Sequence, residues 1–184
     1  MKKFVYLLSL LCSLALAGQA MAYSVSLTPA SQTILVGDSA QVDVNLAVGS
    51  TESLFGFNFA LTFAPAILGF NDLLFNPVLS NYITGFDPPT ADTPDQVTFD
   101  GALDLGTALT NGAFTLATLS FTGIGVGISP LDLTGTVLDL DPATGLVDVA
   151  ASGRVEVVPE PGTFLLLGAG LAGLYGFRRK FQKV

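Results

Sequence analysis

The chain has 184 residues, half of them hydrophobic, with fifteen acidic and seven basic side chains and a formal net charge of −8. That length suits one domain plus short targeting segments. The acidic balance repels nucleic acid, and a sequence without histidine whose one cysteine is Cys12 excludes histidine- or cysteine-based catalysis and the usual zinc sites.

Charge is distributed unevenly. All fifteen acids lie between Asp38 and Glu160, and every base except Arg154 lies near an end: Lys2, Lys3, Arg178, Arg179, Lys180 and Lys183. At the N-terminus Lys2 and Lys3 precede an apolar run from Phe4 to Ala17, followed by Ala20-Met21-Ala22. A basic start, an apolar run well short of a ~20-residue span and a small-x-small end predict a secretory signal peptide over 1–22. Ala20 and Ala22 are its cleavage determinants, so the mature chain begins at Tyr23. Cys12 leaves with the leader, and a thiol-free exported domain must rest on its hydrophobic core.

From Tyr23 to Val157 the signal is β. Gln41–Leu46 alternates polar and apolar residues strictly. Phe55–Phe63 alternates too, which places every large apolar residue of that run on one face. Ser24–Leu27, Gln32–Leu35, Ile67–Phe70, Val97–Phe99, Ala113–Phe121, Ser129–Leu133, Gly135–Leu138 and Gly153–Val157 are further expected strands. Turn signals at Val36-Gly37-Asp38, Asp87-Pro88-Pro89, Thr110-Asn111-Gly112 and Asp141-Pro142 separate them. No stretch carries a long helical period. An all-β sandwich of about eight or nine strands over 23–157 follows.

After the domain comes Val158-Pro159-Glu160-Pro161-Gly162, then Thr163 to Phe177 without a charge, then Arg178-Arg179-Lys180. The prolines end any strand. The Leu-, Gly- and Ala-rich stretch 163–177 is expected to insert as a transmembrane helix, with its basic end held on the cytoplasmic side. The tail 158–184 resembles a PEP-CTERM sorting signal, in which a Pro-Glu-Pro motif precedes a short helix and an arginine-rich end. The resemblance implies an exosortase as partner. It also implies export through the inner membrane of a Gram-negative bacterium, transient anchoring, cleavage near the motif, and delivery to the cell surface or an exopolysaccharide (biofilm) matrix.

The domain itself is similar to cohesin-type jelly-roll sandwiches of the carbohydrate-binding-module superfamily. The likeness rests on the Val36-Gly37-Asp38 turn, the strand Ala40–Ala47, Gly56-Phe57 running into Phe63-Ala64-Pro65, and Gly112-Ala113-Phe114 leading to Leu119-Ser120-Phe121. Ala64 stands where the family often has Asp. The likeness implies a module for protein interaction or adhesion, or, alternatively, for polysaccharide binding.

For chemistry, paired carboxylates remain, but acids scattered over a β domain are more often a solvated surface, and no enzyme is expected. No cofactor is required. Calcium is the one metal the acids suit, at Asp139, Asp141, Thr144 and Asp148 around a turn at Gly145, with Asp87, Asp92 and Asp95 as a second cluster. Aspartate equally makes turns, and both readings of these clusters stand. For glycan binding, the domain lacks Trp, and Tyr82 is the one ring expected to be exposed.

Overall fold

The computed structural model describes residues 23–104, 106–160, 162, 165–172 and 174. The expected signal peptide, with Ala20 and Ala22, lies outside the described residues. Nine strands run from Tyr23 to Val158: β1 Tyr23–Thr28, β2 Ser31–Leu35, β3 Ser39–Thr62, β4 Leu68–Phe75, β5 Tyr82–Asp87, β6 Gln96–Leu103, β7 Leu109–Gly123, β8 Gly127–Asp139 and β9 Leu146–Val158. A 3₁₀ turn, Pro77–Leu79, is capped by Asn76, whose side chain accepts from the Val78 amide.

Strand β3 organises the sandwich. Its first half pairs with β1 on one side and β7 on the other, and β7 in turn pairs with β4. Its second half pairs with β6 and β8, extending a second layer in the order β2-β9-β8-β3-β6-β5. The register with β7 shifts between Val48 and Ser53, where β3 passes from one layer to the other. The alternating patterns at 41–46 and 55–63 are therefore two halves of one strand, and 129–133 and 135–138 likewise join as β8. Strand β5 is an addition to the expected set. β9 begins at Leu146, well before the expected Gly153.

One residue departs from its expected face. Phe57, Phe59, Leu61 and Phe63 are buried, but Phe55 is 37 % exposed. The β3–β8 register shifts between Leu54 and Gly56, so Phe55 sits on a bulge and points away from the core that Leu54 and Phe57 enter.

The core is continuous and aromatic at its centre. Phe57 stacks on Phe59 at 5.2 Å, both meet Phe99 of β6 edge-on, and Phe121 of β7 makes edge contacts with Phe63 and Phe70. Among the described residues only Ser129 and Asp139 are buried polar or charged groups. Each is satisfied: the Ser129 hydroxyl accepts from the Ala64 amide at 2.8 Å and donates to the Pro130 carbonyl. Among the described residues no buried side-chain polar atom lacks a partner.

Candidate functional site: a sheet face and a sorting tail

The pairing registers assemble a surface that no single strand contains. Leu146, Leu138, Gly56, Ala102 and Ile83 line up across β9, β8, β3, β6 and β5. All five face outward from the larger layer, and Leu146 and Ile83 at the two ends are 69 % and 64 % exposed. The middle of the row is low because of Gly56. A methyl group there would come within 3.0 Å of the Gly101 carbonyl oxygen. The result is a shallow groove bordered by Phe55, Leu138 and Leu146.

The next row along the same strands is polar: Asp148, Thr136, Asn58, Asp100 and Gly85. The domain's one base, Arg154, lies opposite Pro130 towards the other end of β9, where its Nε donates to the Ser31 hydroxyl. An apolar stripe beside an acidic row, with no cation on it, suits a partner presenting an apolar ridge flanked by basic groups.

The expected glycan ring is elsewhere. Tyr82 is 7 % exposed. Its hydroxyl donates to the Leu54 carbonyl at 2.7 Å and accepts from the Leu109 amide at 3.0 Å. The polar tip found two backbone partners, so the ring went inside. Burial pushes its phenol pKa up, an effect the Leu109 hydrogen bond partly offsets. Tyr82 therefore cannot stack on a sugar. The partly exposed Phe86 instead borders a groove with Pro88, Pro94, Asn71 and Asp72.

The expected calcium ligands are also redistributed. Asp139 is 4 % exposed, and its carboxylate accepts from the Tyr23 hydroxyl, from the Ser53 amide at 3.3 Å and from the Asp141 amide at 2.6 Å. Asp141 accepts from the Ala143 amide, while its carbonyl receives the Thr144 and Gly145 amides. Asp148 stands apart, exposed and paired with Thr136. Among the described residues no three metal-ligating side chains gather. These aspartates build a turn and anchor three strands, as the turn reading of the cluster expects. In the second cluster, Thr90 and Thr93 close the loop on each other and the Asp95 carbonyl accepts from the Phe63 amide.

The tail follows the domain without a spacer. The Val158 carbonyl still accepts from Val36, and its residue pairs with Leu35. Pro159 and Glu160 come next, and residues 165–172 are helical, the Leu166 amide donating to the Gly162 carbonyl at 2.8 Å. Leu165, Leu166, Leu167, Leu171 and Leu174 are all exposed. Among the described residues no helix is long and apolar enough to cross a membrane. Residues 163, 164, 173 and 175–177 of the expected span, together with Pro161, Arg178, Arg179 and Lys180, lie outside the described residues.

Comparison with known proteins addresses both parts. Residues 157–180 match the family model for the PEP-CTERM protein-sorting motif. No curated protein matches the sequence. The fold is similar to a non-cellulosomal cohesin from the hyperthermophilic archaeon Archaeoglobus fulgidus, with a TM-score of 0.58 and 17 % identity, covering 77 % of this chain and 95 % of that one. It is equally similar to the sixth cohesin of Acetivibrio cellulolyticus scaffoldin B, solved with a dockerin (TM-score 0.58, 17 % identity, 75 % and 100 % coverage). A cohesin from a Clostridium thermocellum cohesin–dockerin complex gives a TM-score of 0.57 at 14 % identity, with 75 % and 94 % coverage. The chain thus carries a PEP-CTERM motif, the mark of an exported protein processed by an exosortase, directly behind a nine-stranded β-sandwich of cohesin-like fold.

Proposed function

We propose that this chain is a surface or matrix protein whose β-sandwich binds another protein, and whose tail holds it at the inner membrane until an exosortase cuts near Pro159-Glu160-Pro161. One observation carries the reading: the sorting motif begins at residue 157, inside β9, so the folded module itself is the cargo. The signal peptide 1–22 starts export, the stretch 163–177 spans the bilayer, and Arg178, Arg179 and Lys180 stay cytoplasmic. Release into an exopolysaccharide matrix follows cleavage. In a strain lacking the exosortase, the chain is expected to remain in the inner-membrane fraction at its uncut mass. An unchanged mature mass there would reduce the tail to a plain anchor.

The interaction half rests on the apolar row from Leu146 to Ile83. The similar cohesins solved with dockerins make a dockerin-like protein the first partner class to test. A photo-crosslinking amino acid in place of Leu146 is expected to trap a protein adduct on the cell surface, and the same probe in place of exposed Ser152 is not. Equal yields from both positions, or none from either, would remove the face from the proposal. The domain works without catalysis: binding needs only the shape and polarity of this face.

A further inference from the structure

We infer that the pole of the sandwich where the chain exits is a lipid-contacting cap, which rests on the membrane interface while the tail is still attached. This rests on the anchoring just proposed and adds a second, weaker contact with the same membrane.

Two loops build the cap. Segments 63–70 and 123–131 contain no charged residue. They pack tightly: the Ile124 and Gly125 amides both donate to the Ile67 carbonyl, and a methyl group on Gly125 would come within 2.3 Å of the Ala66 carbonyl oxygen. The side chains left outward are Pro65, Ala66, Ile124, Val126 and Ile128, the last three 55–59 % exposed. Three β-branched apolar residues within five positions, held out by a rigid two-loop base, are not the scattered exposure of an ordinary surface.

The exit point lies at the same pole. Gly127 pairs with Val157, the Gly123 carbonyl accepts from Gly37, and the Val158 carbonyl accepts from Val36. Between Val158 and the carbonyl that starts the tail helix, Gly162, there are only residues 159–162, a reach of ~14 Å at full extension. Prolines at 159 and 161 stiffen even that. A cap tethered so closely to a membrane helix meets the interface before any other surface does.

The acids around it define the chemistry. Asp38 turns its carboxylate onto the Leu35 amide of its own turn, while Glu156 stands opposite Ile128. The one base nearby, Arg154 opposite Pro130, donates to the Ser31 hydroxyl, so among the described residues the rim of two acids and one base carries no net positive charge. The cap is suited to an apolar interface and not to anionic headgroups, and contact should not depend on anionic lipid or weaken with salt. It also holds the Pro-Glu-Pro motif at the membrane plane, where an integral membrane protease cuts. After cleavage, so small an apolar patch alone gives only reversible contact, and the domain leaves.

The test uses the thiol-free form from Tyr23 to Val184, which contains all nine strands. It is reconstituted in phosphatidylcholine vesicles with one cysteine carrying an environment-sensitive fluorophore. Val126→Cys reports the cap, and Leu140→Cys, about as exposed but at the far end of β8, is the control. At position 126 the emission should shift to the blue, rise several-fold and be quenched by spin-labelled lipid in both low and high salt. Position 140 should stay water-like. Vesicles that float with the protein but leave both probes water-like overturn the cap and spare the anchor. A chain that does not float overturns the anchor and the cap with it. A blue shift at 126 without lipid quenching assigns the patch to a second copy or another protein instead.

Discussion

Asp139→Ala is expected to lower the unfolding free energy of the domain by about 3 kcal/mol, with a urea midpoint shifted down and an unchanged denaturant slope. The carboxylate serves donors from three places: the Tyr23 hydroxyl on β1, the Ser53 amide on β3 and the Asp141 amide in the β8–β9 turn. Removing it strands these donors in or beside the core, each at a cost of ~1–3 kcal/mol, with the more accessible ones partly rehydrated. Asp139→Asn should cost about half as much, since one oxygen still accepts. The coupling is checkable: Tyr23→Phe should cost less in the Asp139→Ala background than alone, because the hydroxyl has then lost its acceptor. Additive effects would mean that Asp139 acts through the turn only.

The same contact sets an alkaline limit. Burial, then the hydrogen bond to Asp139, then the nearby negative charge raise the Tyr23 phenol well above its ordinary value. Tyr82 is raised as well, chiefly by burial. The folded state therefore keeps protons that the unfolded chain releases above pH ~10. Stability from these groups is complete below that pH and falls above it, by up to ~1.4 kcal/mol per pH unit for each phenol. Tyr23→Phe should lessen the slope of stability against pH in that window and leave it unchanged at neutral pH.

How much of this was legible beforehand depended on how local each feature is. The sorting tail is a linear motif whose parts follow one another in the chain, and 157–180 matched as expected. The β class and most strands followed from period-two alternation. What escaped was set by long-range pairing. Residues 47–54 fell between two expected strands, yet they lie within one 24-residue strand, because β3 must cross between layers. Phe55 kept its place in the alternation on paper, and a bulge fixed by the partner strand turned it outward. Tyr82 looked exposed beside Asn81, but Leu54 and Leu109, distant in sequence, supply what its hydroxyl needs. The apolar row draws one residue from each of five strands, so nothing in the order of residues announces it.

Gly135→Ala is the other large expected loss, and its size relative to Gly101→Ala tests how the central strand is built. Phe57 is paired with Gly101 of β6, and Phe59 with Gly135 of β8. Each ring leans over the glycine beside it, while the two rings stack on each other between them. The nearest atoms a methyl group at 101 would meet belong to the Phe57 ring, at 2.6 Å, and a ring can turn aside. At 135 it would meet the Asn58 carbonyl oxygen at 2.1 Å and the Phe59 Cα at 2.9 Å, as well as the Phe59 ring. Backbone atoms held by ladder bonds on both sides cannot move without breaking the β3–β8 register that also aligns the apolar row. Gly101→Ala is therefore expected to cost ~1–2 kcal/mol and Gly135→Ala ~3 kcal/mol or more. Phe57→Leu should relieve most of the first loss, and Phe59→Leu should relieve little of the second, since the clash that remains is with main chain. Equal costs at the two glycines, or full rescue of Gly135→Ala by Phe59→Leu, would show that the strand can slide and that the rings alone set its place.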